Sequence, residues 1–304
     1  MEEAFRRHGE GGTETGVLGI HVPGGGFHIK AGVLRLGRSY FAAKTNANFP
    51  ENPERHGLPT IQGVIVLADA ELGTPLALLD SMEITTLRTG AATAVAARYL
   101  SKPDARSAAI VGCGNQGRVQ LRALLRVRPI ARVRVYDQDR LRAAAFARDL
   151  APELGLDIQV ATDPAAAART SDIVVTCTPA RQPILDVGDV APRSFVAAVG
   201  ADNPDKQEIA PALLAGSRVV VDVLEQAATM GDLHHAIAAG VMTREDVAAE
   251  LGQIVAGRVP PPGRGGSPIV FDSTGMALQD VAAAAAVYER AQAAGRGISV
   301  QLAG

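Results

Sequence analysis

Two cations in separate stretches carry the first chemical signal. Lys44 lies in Tyr40-Phe41-Ala42-Ala43-Lys44-Thr45-Asn46, a strand-like run whose flanking residues are small or apolar. Desolvation there lowers a lysine's pKa and suits it to act as base, proton donor or carboxylate ligand. The same placement also serves an edge strand that must resist aggregation. Arg88 stands in Leu87-Arg88-Thr89-Gly90, directly before a helix expected to open at Gly90. A cation at a helix N-terminus is disfavoured by roughly 0.3–1 kcal/mol unless an anion is shared between them. Guanidinium and free N–H groups therefore point to a bidentate carboxylate anchor, the alternative being an arginine folded back onto Glu83. His28 and Lys30 alternate with Phe27 and Ile29, so they share one face and add positive charge.

The second signal is Ala108-Ala109-Ile110-Val111-Gly112-Cys113-Gly114-Asn115-Gln116-Gly117, an apolar run ending in Gly-x-Gly-x-x-Gly ahead of helically spaced Leu121, Leu124 and Leu125. This is strand, tight turn and helix, the form that cradles a dinucleotide pyrophosphate. Gly112 permits the turn, Gly114 lets backbone approach the phosphates, and Gly117 lets helix pack on strand, with the helix N–H groups facing the anion. Asn115 and Gln116 open that helix. A second strand, Val133 to Tyr136, ends in Asp137, 25 residues after Gly112, where a ribose-binding acid belongs. Thr176 and Thr178, with Pro179, end another strand on the same edge and could line a nicotinamide or ribose pocket; Thr89 is grouped with them as cofactor-binding. Asp222 follows Val219-Val220-Val221. An acid at the carboxyl end of a parallel strand is a site candidate by position, or else a turn cap. Cys113 and Cys177 fit reduced thiols, and no metal site is expected, the adjacent His234 and His235 pointing apart on a helix.

These residues need particular elements behind them. From Val17 to Leu79 short strands are expected at 17–22, 27–34, 39–45, 61–67 and 76–79, separated by Gly/Pro-rich turns. With no crossover helix before Gly90, that spacing predicts an antiparallel sheet. After the break at Ser101-Lys102-Pro103-Asp104, strands at 107–111, 133–136, 158–161, 172–177, 195–199 and 218–223 alternate with helices near 117–127, 138–150, 164–170 and 206–215. That alternation predicts parallel strands. A Pro/Gly-rich stretch, 257–268, reads as a mobile loop before a last strand at 269–271 and a long helix over 276–293. The fold class is therefore α/β: a Rossmann-type doubly wound parallel sheet in 101–268, plus a discontinuous α+β substrate and dimerisation domain from 1–100 with 269–304.

A chain of 304 residues is long enough for two such cores, and its formal net charge of −2 gives no argument for nucleic acid or an anionic membrane. The segment Met1 to Arg7 lacks a signal peptide's apolar core, and no apolar run approaches the ~20 residues of a membrane span. A cytoplasmic location is expected.

Lys44 with Asn46 and Asn48, Gly57-Leu58-Pro59-Thr60, Leu87 to Ala92, Ile110 to Gln116, Val199-Gly200-Ala201-Asp202 and Phe271-Asp272-Ser273-Thr274-Gly275 together resemble the ornithine cyclodeaminase/mu-crystallin family over nearly the whole chain. Lys206 to Glu208 and Val221 to Ala227 are most similar to its archaeal-type alanine dehydrogenases. The resemblance implies homodimers and an NAD(P)-binding Rossmann domain. It also implies substrate held by Lys44 and Arg88, with Asp222 as catalytic aspartate. Asp137 favours NAD over NADP, since a carboxylate repels a 2′-phosphate. The expected activity is hydride transfer between nicotinamide and the Cα of a small α-amino acid or its imine, cyclic imines included. Its rivals are ornithine cyclodeamination with catalytic NAD, and a non-enzymatic mu-crystallin-like binding protein. Two departures stand out. Members usually carry a further strand and helix ahead of the segment matching Glu2 to Phe5, so either this sequence starts late relative to them or the dimer domain is trimmed. Cyclodeaminases also carry an arginine where this chain has Gly19 to Gly24, which leaves His28 or Lys30 to compensate.

Overall fold

The computed structural model describes residues 1–263 and 265–301. Arg264, inside the expected loop 257–268, and the last three residues of the 269–304 unit lie outside the described residues. After helix α1 (Glu2–Glu10), the first part of the chain is a meander: β1 (Thr15–Val22), β2 (Gly25–Leu36), β3 (Arg38–Asn48), the short α2 (Asn52–His56), β4 (Ile61–Asp69) and β5 (Pro75–Asp80). These five strands pair antiparallel in sequence order, joined by short turns except where α2 lies between β3 and β4. Helix α3 (Ser81–Leu100) follows without a linker. It starts nine residues before the expected opening at Gly90. Asp80 supplies the N-cap, accepting a hydrogen bond from the Met82 N–H at 2.6 Å. Gly90 is thus mid-helix, where a Cβ would lie 2.7 Å from Val119 Cγ1 on the neighbouring helix. It is a packing glycine, and Arg88 sits inside α3.

The second part runs β6 (Ser107–Val111), α4 (Asn115–Leu125), β7 (Arg132–Tyr136), α5 (Arg140–Leu154), β8 (Asp157–Val160), α6 (Pro164–Ala168), β9 (Ile173–Thr176), β10 (Arg181–Leu185), β11 (Phe195–Ala198), β12 (Gln207–Ile209), α7 (Pro211–Ala215) and β13 (Arg218–Val221). Then come α8 (Leu224–Ala227), α9 (Asp232–Ala238), β14 (Ala249–Glu250), α10 (Leu251–Val255), β15 (Ile269–Asp272) and α11 (Ala277–Ala293). The expected helix over 206–215 is strand β12 followed by a short helix. Residues 207–209 are buried and pair in parallel with β10, and Pro211 begins α7, where its missing N–H costs nothing.

Eight strands form one parallel sheet in the order β14-β13-β15-β11-β9-β6-β7-β8. The chain winds one way from β6 through β7 to β8 and the other way from β9, so the order reverses between β6 and β9. A crevice opens at such a point. Strand β15 pairs in parallel with both β11 and β13. The 269–304 segment therefore contributes its strand to the parallel sheet and only its helix to the meander. Val270 and Phe271 are fully buried there, which gives this short apolar strand its place in a central position. Helix α11 then crosses back and lays Leu278, Val281, Ala284 and Ala285 against Leu34, Tyr40, Ala42, Ile65 and Leu67 of the antiparallel sheet. Among the described residues no helix is long and apolar enough to cross a membrane.

Candidate active site

The glycine turn after β6 has the geometry its sequence requires. Gly112 has φ +105°, and a Cβ there would lie 2.8 Å from the Cys177 carbonyl oxygen. A Cβ on Gly117 would meet the Gly112 carbonyl oxygen at 2.1 Å, so only glycine lets α4 close on the turn. At Gly114 nothing lies within 4 Å of the same position. That opening faces the start of α4, where Asn115 and Gln116 are the first two residues. It belongs to a groove of about 760 Å³ lined by Gly112, Gly114, Asp137, Arg142, Cys177 and Thr178 among others. Asp137 accepts the Cys113 N–H at 2.8 Å and the Asp139 N–H at 2.9 Å, so the acid also ties β7 to the turn. An open backbone nest at a helix N-terminus with an acid on the adjacent strand fits a dinucleotide whose ribose is unphosphorylated. Thr178 borders the groove. Thr176 does not reach it, because the side chain is fully buried and its hydroxyl donates to Glu208 at 2.8 Å. The Thr89 hydroxyl donates to the Thr85 carbonyl within α3. Neither cysteine is a ready nucleophile, since burial pushes the Cys113 thiol up to about 12 and the Cys177 thiol well above the ordinary value.

Lys44 and Arg88 do converge, on a residue the sequence reading passed over. Asp280, in the first turn of α11, lies 2.8 Å from Lys44 Nζ and 3.1 Å from Arg88 Nε, and all three side chains are buried. Arg88 Nη1 also donates to Gln279 Oε1 at 2.7 Å. Lys30 faces Lys44 across the β2–β3 register and donates to the carbonyls of Thr274 at 3.0 Å and Gly275 at 2.5 Å. Gly275 has φ +79°, and a Cβ there would lie 2.6 Å from Arg88 Nη1, so this turn needs glycine to pass the guanidinium. Burial pulls the Lys44 ammonium down to about 7; Asp280 opposes that, while Arg88 and Lys30 add to it. Burial raises the Asp280 carboxyl, but Arg88 and Lys44 outweigh it and hold the acid below the ordinary carboxylate value. Burial and Arg88 lower Lys30, against the pull of Asp280, Asp222 and Asp202.

Asp222 stands at the expected sheet edge, yet its surroundings are those of an organising group. It is fully buried and accepts the Gly275 N–H at 2.5 Å, the Thr274 hydroxyl at 2.9 Å and the Val223 N–H at 2.9 Å. Gln226 braces the same turn through Thr274 Oγ1 and the Gly275 carbonyl. A different acid is open. The Asp202 side chain is 52 % exposed, pairs with Lys206 at 2.8 Å, and is the leading charge opposing the burial-driven lowering of His28. Asp202 belongs to a quoted motif that was given no role. The signal for Asp280 was a lone acid between Leu278 and Val281 on the core face of a helix.

Comparison with known proteins places this geometry. The family model described as ornithine cyclodeaminase/mu-crystallin family matches residues 1–295. An archaeal alanine dehydrogenase dimer solved with bound NAD superposes with a TM-score of 0.94 at 35% identity, covering 99% of this chain and 92% of that one. The Thermococcus litoralis Δ1-pyrroline-2-carboxylate reductase, solved with NADH and L-proline, superposes with a TM-score of 0.93 at 32% identity, covering 98% and 93%. In sequence, the iminosuccinate reductase of Paracoccus denitrificans is 36% identical over 279 residues, 91% of this chain and 83% of that protein.

Proposed function

The chain belongs to the ornithine cyclodeaminase/mu-crystallin family, and from that premise we propose how its site works: as an NAD(H)-dependent oxidoreductase acting at the Cα–N bond of a small α-amino acid or its open or cyclic imine. The groove at Gly112–Gly117 beside Asp137 would hold NAD, which would supply hydride transfer at Cα.

The observation that carries this reading is the convergence of two buried cations, Lys44 and Arg88, on one carboxylate, Asp280, with Lys30 close enough to feel both Asp280 and Asp222. Lys44 and Arg88 share that one ion-pair partner, so a substrate carboxylate is the natural complement. Arg88 and Lys44 hold that carboxylate while Asp280 and Gln279 fix the guanidinium. Lys30 anchors the Thr274–Gly275 turn against β2. Lys44, with its pKa near neutrality, can also pass a proton to or from the substrate nitrogen. For the second proton carrier, the exposed side chain of Asp202 supports that residue, and the enclosed carboxylate of Asp222 supports a framework role. The proposed assembly is a homodimer joined through the apolar face of the antiparallel sheet, and the use of NAD(H) supports action in the cytoplasm.

The test is a panel of amino acids and cyclic imines with NAD(H) and NADP(H), following NADH absorbance and ammonia together. Net NADH turnover with an amino acid or imine supports the reading. Ammonia from ornithine without net NADH replaces it with cyclodeamination, and tight NAD binding without turnover on any substrate leaves a binding protein. Asp202→Asn is expected to cut kcat by roughly 10²–10⁴ with NAD affinity kept. An active Asp202→Asn beside a folded, inactive Asp222→Asn would move the proton relay to Asp222.

A further inference from the structure

Behind the site lie two acids that the mechanism does not use. Asp232 opens α9 and Asp272 closes β15, and both side chains are fully buried. One oxygen of each is satisfied: Asp232 Oδ1 accepts the Glu208 and Ile209 N–H groups at 2.8 Å, and Asp272 Oδ2 accepts the Leu233 N–H at 2.8 Å. The other oxygens, Asp232 Oδ2 and Asp272 Oδ1, have no hydrogen-bond partner among the described residues. The Asp272 carboxyl is pressed on the α9 entry, since a Cβ on Gly231 would lie 3.0 Å from both its oxygens. The charges that act most on these groups are themselves acids: Glu208 of β12 on Asp232, and Asp232 with Asp222 after β13 on Asp272.

We propose that Asp232 and Asp272 share one proton, and that this acid–carboxylate pair is a positioning device for the turn Ser273–Gly275 on which the site is built. Asp272 accepts from the residue after Asp232, which brings its carboxyl to the α9 entry, so a single shared O–H donor would satisfy both orphaned oxygens at once and remove one of two neighbouring buried charges. Burial leads the shifts in the same direction, with Asp232 pushed up to about 7 and Asp272 well above the ordinary value; the titration belongs to the pair. Asp272 is bonded directly to Ser273. The next two residues bind Asp222 through the Thr274 hydroxyl and the Gly275 N–H, and Lys30 through both carbonyls. Loss of the shared proton sets two charges against each other at the root of this turn and displaces it from Lys30 and Arg88.

Infrared spectroscopy of the full chain is expected to show, at neutral pH, the carbonyl stretch of an un-ionised carboxyl. That band should be lost in Asp272→Asn and should titrate away in the wild type as pH rises. A band absent from the wild type, or unchanged in the variant, overturns the shared proton. The second arm is kinetic and rests on the amino-acid or imine reading; the infrared arm does not, so the two failures are separable. Asparagine at 272 keeps a donor towards Asp232 at every pH. Asp272→Asn should therefore flatten the alkaline rise of KM by one proton, about tenfold per pH unit, while the contribution of Lys44 remains and NAD affinity holds. Identical KM slopes in variant and wild type overturn the positioning role.

Discussion

Lys44 is held by two opposing influences: burial strips its hydration, and Asp280 at 2.8 Å returns part of the loss. Its charged form is needed to grip a carboxylate, so kcat/KM should fall as pH rises through about 7, the value to which the ammonium is lowered. A profile flat through that region would contradict the role. Stability carries the opposite sign. Between about 7 and the ordinary lysine value near 10.4, the unfolded chain holds a proton that the folded chain has released, so this group makes stability rise with pH. Arg88→Ala tests the clamp. Losing a charge-assisted hydrogen bond of about 1.5–3 kcal/mol should raise KM roughly 10- to 150-fold. Leaving Asp280 with one partner fewer should also lower the melting temperature. An unchanged KM would count against the carboxylate anchor.

At the scale of elements, the glycines of the β6–α4 turn separate into two kinds. Gly117→Ala drives a Cβ to 2.1 Å from the Gly112 carbonyl oxygen. The helix must then move off the strand, with an expected loss of about 1–3 kcal/mol and weakened NAD binding. Gly114→Ala meets open space, so its melting temperature should stay at the wild-type value while the Kd for NAD rises. Equal thermal effects in the two variants would refute the distinction. Most strands were legible because their alternation or apolar runs are local, with β6 falling on the expected 107–111. The start of α3 was misread because Gly90 signals a terminus in sequence but serves helix packing in space, while Asp80 caps the true start. Strand β12 was hidden because three buried residues beside Pro211 carry no period of their own.

Across the whole molecule, the antiparallel sheet has two faces of different fate. One carries Lys44 and packs under α11. On the other, Leu18, Ile29 and Val64 follow one register line, and Val66 and Leu78 the next. Leu18 is 54 % exposed, Val66 40 % and Leu78 69 %. Such exposed apolar side chains support the proposed interface, and the archaeal alanine dehydrogenase that this fold matches was solved as a dimer. Sedimentation should give twice the chain mass for the wild type and a single-chain mass for Leu18→Lys combined with Val66→Asp, with far-ultraviolet dichroism retained. A wild type that sediments as a monomer at micromolar concentration would sink the proposed interface.

The amino-acid sequence alone determined what local pattern can encode. It specified a glycine turn between strand and helix, an acid at the next strand end, a meander followed by alternating strands and helices, and a lysine and an arginine of the right types. Only the tertiary structure decided which partners they meet. Arg88 reaches Gln279 across 191 positions and Lys30 reaches Thr274 across 244. Those contacts exist because β15 enters the parallel sheet and α11 then returns over the meander. No periodicity records that return, so Asp280, the enclosure of Asp222 and the pairing of Asp232 with Asp272 became visible only in three dimensions.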